Sequence, residues 1–207
     1  MIYIFSEYDR ITPEIEEILI NKLPPVRKSR AMRYKHTGGR LSCITGYLLF
    51  LYGFRNIFKE SESPDFDTNQ YGKPFLHNFP DIHFNISHCN GAAVCIFSDT
   101  EVGVDIQESR NTTMYHARRV CSEEEVERIE NSVEPELEFC KIWSVKEALS
   151  KLSGTGIIFK EIRNLSPRGV NVHTAFIEPN MYLTGASYDK NADFSIHRVK
   201  LAELMEL

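Results

Sequence analysis

Residues 83–107 read HFNISHCNGAAVCIFSDTEVGVDIQ and contain three short runs typical of β-strands, at 83–87, 92–98 and 102–107. Asp99-Thr100-Glu101 has the length and chemistry of a hairpin connection between the last two runs. Helical patterns lie before and after this region rather than between its strands. Strands that cluster instead of alternating with helices predict an α+β fold.

The flanking sequence supplies the remaining elements. A β-rich opening at 2–6 precedes an amphipathic helix that begins at Pro13 and ends at Pro24-Pro25. Ser122 and Glu125 have the spacing of a helix capping box. The full prediction is a strand at 2–6, helices from 13, 26 and 41, a loop at 59–70, a turn at 71–74, the three central strands, helices from 122 and 136, and strands at 170–177, 181–187 and 194–199.

Composition limits the classes of protein that fit. The 207 residues are 42% hydrophobic and 26% charged, which is enough apolar material for one sizeable core or two small cores packed together. A net charge of −5 argues against a general nucleic-acid surface, although it permits a local basic pocket for a phosphorylated ligand. We therefore expect no nucleic-acid partner.

Cysteine usage and the N-terminal sequence suggest a compartment. The five cysteines are odd in number and form no C-x-x-C pair, so we expect reduced thiols. The N-terminus has no signal-peptide pattern, and no stretch approaches the roughly 18 apolar residues of a membrane span. These features predict a cytoplasmic protein without a membrane contact.

The strand at 102–107 carries the first candidate chemistry. Alternation places Val102, Val104 and Ile106 on one face and Gly103, Asp105 and Gln107 on the other. A glycine beside two oxygen donors leaves space for a ligand or a hydrated ion, and Mg²⁺ is commonly held by one or two carboxylates. The alternative is a strand that leaves the core with solvated polar side chains, and the pattern alone favours that alternative.

A helix supplies the second candidate group. Trp143, Glu147 and Lys151 stand at i, i+4 and i+8, so they share a helix face. Glu147 could complete a metal shell or accept a proton, and Lys151 could neutralise a phosphate or a leaving group. The alternative is a surface Glu–Lys pair that contributes only ~0.2–0.5 kcal/mol to helix stability.

Donors for an anion come from three further places. Ser87 and His88 end a strand, and Lys73 lies in the preceding Tyr-Gly-Lys-Pro turn. Arg27 and Arg30 stand at i and i+3 of a basic helix, and arginine forks suit phosphate oxygens. Each group also has an ordinary interpretation, as a satisfied turn or a solvated helix face. No acidic residue completes a serine-hydrolase triad with the Ser-His pair.

Together these motifs, in this order, resemble the motif set of Sfp-type phosphopantetheinyl transferases over about residues 25–155. The resemblance implies a pseudo-symmetric α+β fold of two similar halves, 1–100 and 101–207. Each half would be a small antiparallel sheet packed with helices. It also implies that the active site, with coenzyme A as substrate and Mg²⁺ or Mn²⁺ as cofactor, lies in the cleft between the halves of a monomer.

The resemblance assigns roles to ten residues of this chain. The implied metal ligands are Asp105, Gln107 and Glu147, and the implied catalytic residues are Asp105, Glu147 and Lys151. The implied coenzyme A contacts are Arg27, Arg30, Arg40, Lys73, Ser87, His88 and Lys151. Two positions depart from the family pattern: Gln107 stands where Glu is frequent, and Arg40 is in a slightly different register from the expected arginine.

The implied reaction moves 4′-phosphopantetheine from coenzyme A to a serine of an apo acyl or peptidyl carrier protein and releases adenosine 3′,5′-bisphosphate. The nucleophile then belongs to the partner, which agrees with the lack of an evident nucleophilic Ser or Cys in this chain. Two alternatives stay open. One is a coenzyme A or carrier-protein binding module without turnover, and the other is a Mg²⁺-dependent nucleotide hydrolase.

Overall fold

The computed structural model describes residues 1–58, 63–110, 114–156 and 159–207. Its strands are β1 Ile2–Phe5, β2 Phe66–Thr68, β3 Pro74–Leu76, β4 His83–Cys89, β5 Ala92–Ser98, β6 Val102–Glu108, β7 Asn171–Ile177, β8 Met181–Ser187 and β9 Ile196–Arg198. Its helices are α1 Pro13–Asn21, α2 Pro25–Met32, α3 Thr37–Phe58, α4 Met114–Val120, α5 Glu123–Glu130, α6 Pro135–Ser153, α7 Phe159–Ile162 and α8 Leu201–Met205. The α+β prediction is confirmed.

Two main sheets form the framework. One has the order β4-β5-β1-β9 and the other β6-β8-β7, while β2 and β3 form a separate two-stranded pair. All pairs are antiparallel except β1 with β9, which is parallel. The expectation of an antiparallel sheet in each half is therefore wrong for the first sheet, because β9 comes from the end of the chain. The boundary at residue 100 and the two-fold relation of the halves stay predictions.

The expected hairpin between β5 and β6 does not form. β5 pairs with β4 on one side and β1 on the other, whereas β6 pairs with β8. Residues 92–97 of β5 are all buried, so this strand lies at the centre of its sheet and both of its edges are occupied. Asp99-Thr100-Glu101 therefore connects two sheets.

One long helix covers each main sheet. α3 packs against β5, β4 and β1, and α6 packs against β6 and β8. Among the described helices, α3 is the one whose length and composition could span a membrane, but 61% of its apolar window is buried inside the protein. The expectation that no stretch approaches such a span is thus wrong for α3. Its apolar side chains, among them Ile44, Leu48 and Phe50, belong to the core.

Close contact between β6 and α6 sets the position of the candidate site. Val102, Val104 and Ile106 enter the core as predicted, in the cluster that contains Ile2 and Ile4 of β1. The opposite face lies directly under α6: a Cβ at Gly103 would stand 2.1 Å from the carbonyl oxygen of Ala148. The space predicted at Gly103 is therefore filled by the helix backbone rather than by a ligand.

Candidate active site

Three predicted residues from three elements meet at one buried point. Asp105 of β6 is only 3% exposed. Lys151 of α6 donates from Nζ to Asp105 Oδ1 at 2.6 Å and to Ser87 Oγ of β4 at 2.8 Å. The Ser87 hydroxyl donates to the same Asp105 oxygen at 2.7 Å. Because Asp105 is buried in an ion pair, the interpretation of a merely solvated side chain is wrong for it.

Side chains of β4 hold β6 in place across the boundary between the two sheets. Asn85 Oδ1 accepts the N–H of Val104 at 3.0 Å, and Ser87 Oγ accepts that of Ile106 at 3.4 Å. These bonds take the place of a backbone ladder between two edge strands and fix Asp105 between them. Asn85 was not among the residues predicted from the sequence, although its position two residues before Ser87 places it on the same strand face.

The hydroxyl of Ser87 is fully used inside this cluster. It donates once and accepts twice, which is the whole capacity of a serine hydroxyl. A phosphate contact by Ser87 would require one of these bonds to be exchanged, and that contact stays a prediction.

Glu147 lies near Asp105 on the face of α6 that also carries Lys151. Burial, and then the negative charge of Asp105, raise the pKa of Glu147 to about 7, while Lys151 acts in the opposite direction. Its carboxyl group therefore exchanges a proton near neutral pH, as a general base does.

Lys146, the neighbour of Glu147 in sequence, has a different role. Its side chain is 1% exposed and pairs with Glu125 at 2.9 Å. Its ammonium also donates to the carbonyl oxygens of Ile162, Arg163 and Leu165. Glu125 in turn closes the predicted capping box with Ser122, so Lys146 joins α5 and α6 to the segment after α7.

The donor set fits a magnesium ion. Asp105 Oδ2 is buried and has no hydrogen-bond partner among the described residues. Glu147 is close enough for its pKa to respond to Asp105, and Gln107 lies on the same strand face two residues on. Within the described ranges no group of three His, Cys, Asp or Glu side chains could hold a metal. Two carboxylates with substrate phosphates and waters are nevertheless the usual shell of Mg²⁺.

A cavity of about 450 Å³ lies beside the cluster and contains both aromatic and cationic groups. Arg27 and Arg30 supply the cations, His88 supplies an imidazole, and Tyr47 and Phe66 supply the aromatic rings. The Arg27 guanidinium lies 4.8 Å from the Phe66 ring centre and 5.3 Å from that of Tyr47. Burial, and then the charge of Arg30, lower the pKa of Arg27 from its ordinary value. Such a cavity suits a phosphate group attached to a flat base.

His88 connects the cavity to the buried cluster. It lines the cavity, and it follows Ser87 directly in β4. Burial lowers the pKa of His88, and the positive charge of Lys151 lowers it further. The charge of Lys151 therefore acts on the wall of the cavity at His88.

Two predicted coenzyme A contacts lie elsewhere in the structure. Lys73 donates from Nζ to Glu101 and to the carbonyl oxygens of Val102 and Leu152. Arg40 forms a two-bond ion pair with Glu16 of α1. A phosphate contact by either cation would require it to leave these partners, so both contacts stay predictions.

The cluster and the adjoining cavity together offer cations and carboxylates with which a phosphorylated ligand could bind. Residues 101–196 match the model of the 4′-phosphopantetheinyl transferase superfamily. This match covers just under half of the chain, and the relatives to which the chain is similar include transferases of the Sfp type.

Three relatives illustrate the similarity. The chain is 27% identical to 4′-phosphopantetheinyl transferase Sfp of Bacillus subtilis, over 71% of this chain and 67% of the relative. It is 35% identical to 4′-phosphopantetheinyl transferase psf-1 of Bacillus pumilus, over 45% of this chain and 41% of the relative. It is 29% identical to an L-aminoadipate-semialdehyde dehydrogenase-phosphopantetheinyl transferase of Candida glabrata, over 72% of this chain and 61% of the relative. The matched stretches thus span from less than half to about two thirds of these relatives.

Proposed function

We propose that the chain transfers 4′-phosphopantetheine from coenzyme A to a serine of an apo acyl or peptidyl carrier protein and releases adenosine 3′,5′-bisphosphate. The observation that carries the proposal is the contact of Lys151 with buried Asp105 beside Glu147, next to a cavity that contains Arg27 and Arg30. The match of residues 101–196 to the superfamily model and the similarity to Sfp-type transferases support it.

The cavity would bind the nucleotide end of coenzyme A. Arg27 and Arg30 present guanidinium groups for the 3′-phosphate, and Phe66 and Tyr47 give flat surfaces for the base. Lys151 and His88 lie where the pyrophosphate would pass from the cavity to the cluster. Binding in this direction places the phosphate that bears pantetheine beside Glu147.

The chemical step is a phosphoryl transfer. The carrier serine oxygen forms a bond to the phosphorus that bears pantetheine, and the bond from that phosphorus to the bridging oxygen breaks. The electron pair leaves on adenosine 3′,5′-bisphosphate. Glu147 accepts the serine proton, and Lys151 neutralises charge on the phosphates.

Asp105 and Glu147, with the amide oxygen of Gln107, would hold Mg²⁺ or Mn²⁺. The bound ion would neutralise charge on the pyrophosphate. Because the protein supplies only two carboxylates, the pyrophosphate oxygens would contribute to the affinity for the ion.

The protein is proposed to act as a monomer in the cytoplasm, without a nucleic-acid or membrane partner. The site is built from both parts of a single chain, which is compatible with a monomer. The five cysteines are free, as expected in a reducing cytoplasm. The net charge of −5 fits a protein partner rather than nucleic acid.

The nucleotide products distinguish the three candidate activities. Coenzyme A and Mg²⁺ are incubated with the protein, with and without an apo carrier protein, and the products are separated by chromatography. A transferase forms adenosine 3′,5′-bisphosphate only when the carrier is present. Product without a carrier would support the hydrolase, and intact coenzyme A in both reactions would support a binding module.

Coenzyme A is expected to bind more tightly than 3′-dephospho-coenzyme A. A charge-assisted hydrogen bond contributes ~1.5–3 kcal/mol, so loss of the 3′-phosphate should weaken binding by about 10- to 100-fold. Arg27→Ala should remove most of this difference, whereas Arg168→Ala, an exposed arginine outside the cavity lining, should preserve it. Equal affinities for the two ligands, measured by calorimetry, would mean that Arg27 and Arg30 do not bind the 3′-phosphate.

Gln107→Glu is expected to tighten Mg²⁺ binding in the absence of coenzyme A. The substitution adds a third carboxylate on the strand face that carries Asp105. Turnover need not rise, because the added charge also repels the pyrophosphate. Titration of Mg²⁺ into both forms measures the effect, and an unchanged affinity would mean that Gln107 does not face the ion.

A further inference from the structure

The turn between β2 and β3 reaches from the first half of the chain to the end of α6. Asn69 Oδ1 accepts the N–H groups of Tyr71 and Lys73, at 2.9 and 3.0 Å, which fixes the turn. The other end of the same amide donates from Nδ2 to the carbonyl oxygen of Gly154 at 3.1 Å. Asn69 thereby ties a rigid turn to the residue that ends α6.

Lys73 makes the second connection. Its Nζ donates to the carbonyl oxygens of Leu152 and Val102, at 3.2 Å each, and to the carboxylate of Glu101. The side chain is only 14% exposed. An ammonium group has three protons, and here each has an acceptor within the protein. One cation therefore joins the last turn of α6 to the first residue of β6.

A cation stabilises a helix most at its C-terminal end. The last four carbonyl oxygens of a helix have no partner within it, and they carry partial negative charge. Gly154, with φ of +68°, ends α6 in the left-handed conformation. A Cβ at Gly154 would stand 3.1 Å from Lys73 Cδ and 3.3 Å from Asn69 Nδ2, so glycine allows the close approach.

We infer that Asn69 and Lys73 form a clamp that holds the end of α6 against β6 and positions Lys151 and Glu147 beside Asp105. The clamped carbonyl of Leu152 belongs to the residue after Lys151, and the clamped carbonyl of Val102 lies three residues before Asp105. Asn69 and Lys73 are positioning residues in this inference. Only the effect on turnover rests on the proposed function.

The inference differs from the predicted contact of Lys73 with the nucleotide. The neighbours Gly72 and Pro74 line the cavity that contains Arg27, but Lys73 is not among its lining residues. The ammonium instead lies among the carbonyl oxygens of α6 and β6. When the ammonium is removed, loss of a nucleotide contact would raise KM for coenzyme A, whereas loss of the clamp would lower kcat.

The test uses Lys73→Met and Asn69→Ala in the full chain, with Lys190→Met as the control. Lys190 is exposed and lies outside the clamp and the cavity lining. Amide hydrogen exchange is measured without any ligand. The clamp predicts about tenfold faster exchange at residues 149–156 in both test variants and no change there in Lys190→Met. Exchange in α3 serves as an internal reference for global unfolding.

The kinetic arm measures kcat and KM for coenzyme A with an apo carrier. The clamp predicts that kcat falls about tenfold in Lys73→Met while KM stays within about twofold. A raised KM with unchanged kcat and unchanged exchange would overturn the inference and assign Lys73 to the nucleotide. If Lys73→Met does not fold, the same criteria are applied to Asn69→Ala. This variant removes the hydrogen bond from Asn69 Nδ2 to the carbonyl oxygen of Gly154. If the wild-type protein shows no transfer, the exchange arm alone decides.

Discussion

Glu147→Gln is expected to abolish transfer and, at the same time, to stabilise the ligand-free protein at about pH 8. The carboxylate is the proposed acceptor of the serine proton, and removal of a general base commonly costs about 10²–10⁴ in rate. The stabilisation has a separate cause. Folding brings the Glu147 carboxylate out of water and close to Asp105, so its negative charge is unfavourable in the folded state.

The pH dependence of stability follows from the raised pKa. Glu147 has a pKa of about 7 in the folded protein and an ordinary value of 4.5 when unfolded. Between these values the folded state holds a proton that the unfolded state has released. Folding stability contributed by this group is therefore present below the unfolded pKa and is lost as the pH rises toward 7. A shift of this size corresponds to at most about 3 kcal/mol.

Urea unfolding at about pH 5 and pH 8, without metal or coenzyme A, measures this effect. The wild type should lose stability relative to Glu147→Gln between the two conditions, by up to about 3 kcal/mol. Glu136→Gln, at an exposed position of the same helix, serves as the control and should follow the wild type. Equal pH dependence in Glu147→Gln and the wild type would mean that the Glu147 charge is not unfavourable in the fold.

Gly103→Ala is expected to be the most destabilising glycine-to-alanine substitution among the described glycines. The new methyl group would stand 2.1 Å from the carbonyl oxygen of Ala148 and 2.5 Å from the backbone nitrogen of Leu152. These are backbone atoms of α6, which cannot rotate away as a flexible side chain can. Separation of α6 from β6 would also move Glu147 and Lys151 away from Asp105. We expect a loss of about 3 kcal/mol or more, together with loss of transfer.

Gly38→Ala is a matched control for this substitution. Gly38 lies in the first turn of α3, and the nearest atom to an added Cβ there is the Asn90 side-chain oxygen at 3.7 Å. Alanine in a helix is favoured over glycine by up to about 1 kcal/mol, so this variant should be neutral or slightly more stable. Urea midpoints compare the two variants. A Gly103→Ala protein as stable as the wild type would mean that β6 and α6 are not in close contact.

Local structure could be predicted from the sequence because its causes are local. The capping box at Ser122 and Glu125 forms as the motif indicates, and β8 has the predicted limits of 181 and 187. The alternation that sends Val104 to the core and Asp105 to the opposite face is also present. These features depend on residues no more than a few positions apart.

Pairing and packing partners could not be predicted in the same way. Nothing near Asp99-Thr100-Glu101 shows that β6 pairs with a strand about eighty residues later. The glycine at 103 indicated a close approach, but its own strand did not identify α6 as the approaching element. The meeting of Asp105 with Lys151 was likewise expected from the family resemblance, because helix spacing alone relates Lys151 only to Glu147.

Intact mass of an apo carrier protein tests the central claim most directly. The carrier is incubated with coenzyme A, Mg²⁺ and either the wild type or Asp105→Asn, which keeps the size of the side chain but removes the charge that pairs with Lys151. The account predicts that the wild type adds the mass of one phosphopantetheine to one carrier serine, and that Asp105→Asn does so at least about 100-fold more slowly. A carrier that stays unmodified with the folded wild-type protein, or that is modified equally fast by Asp105→Asn, would contradict it.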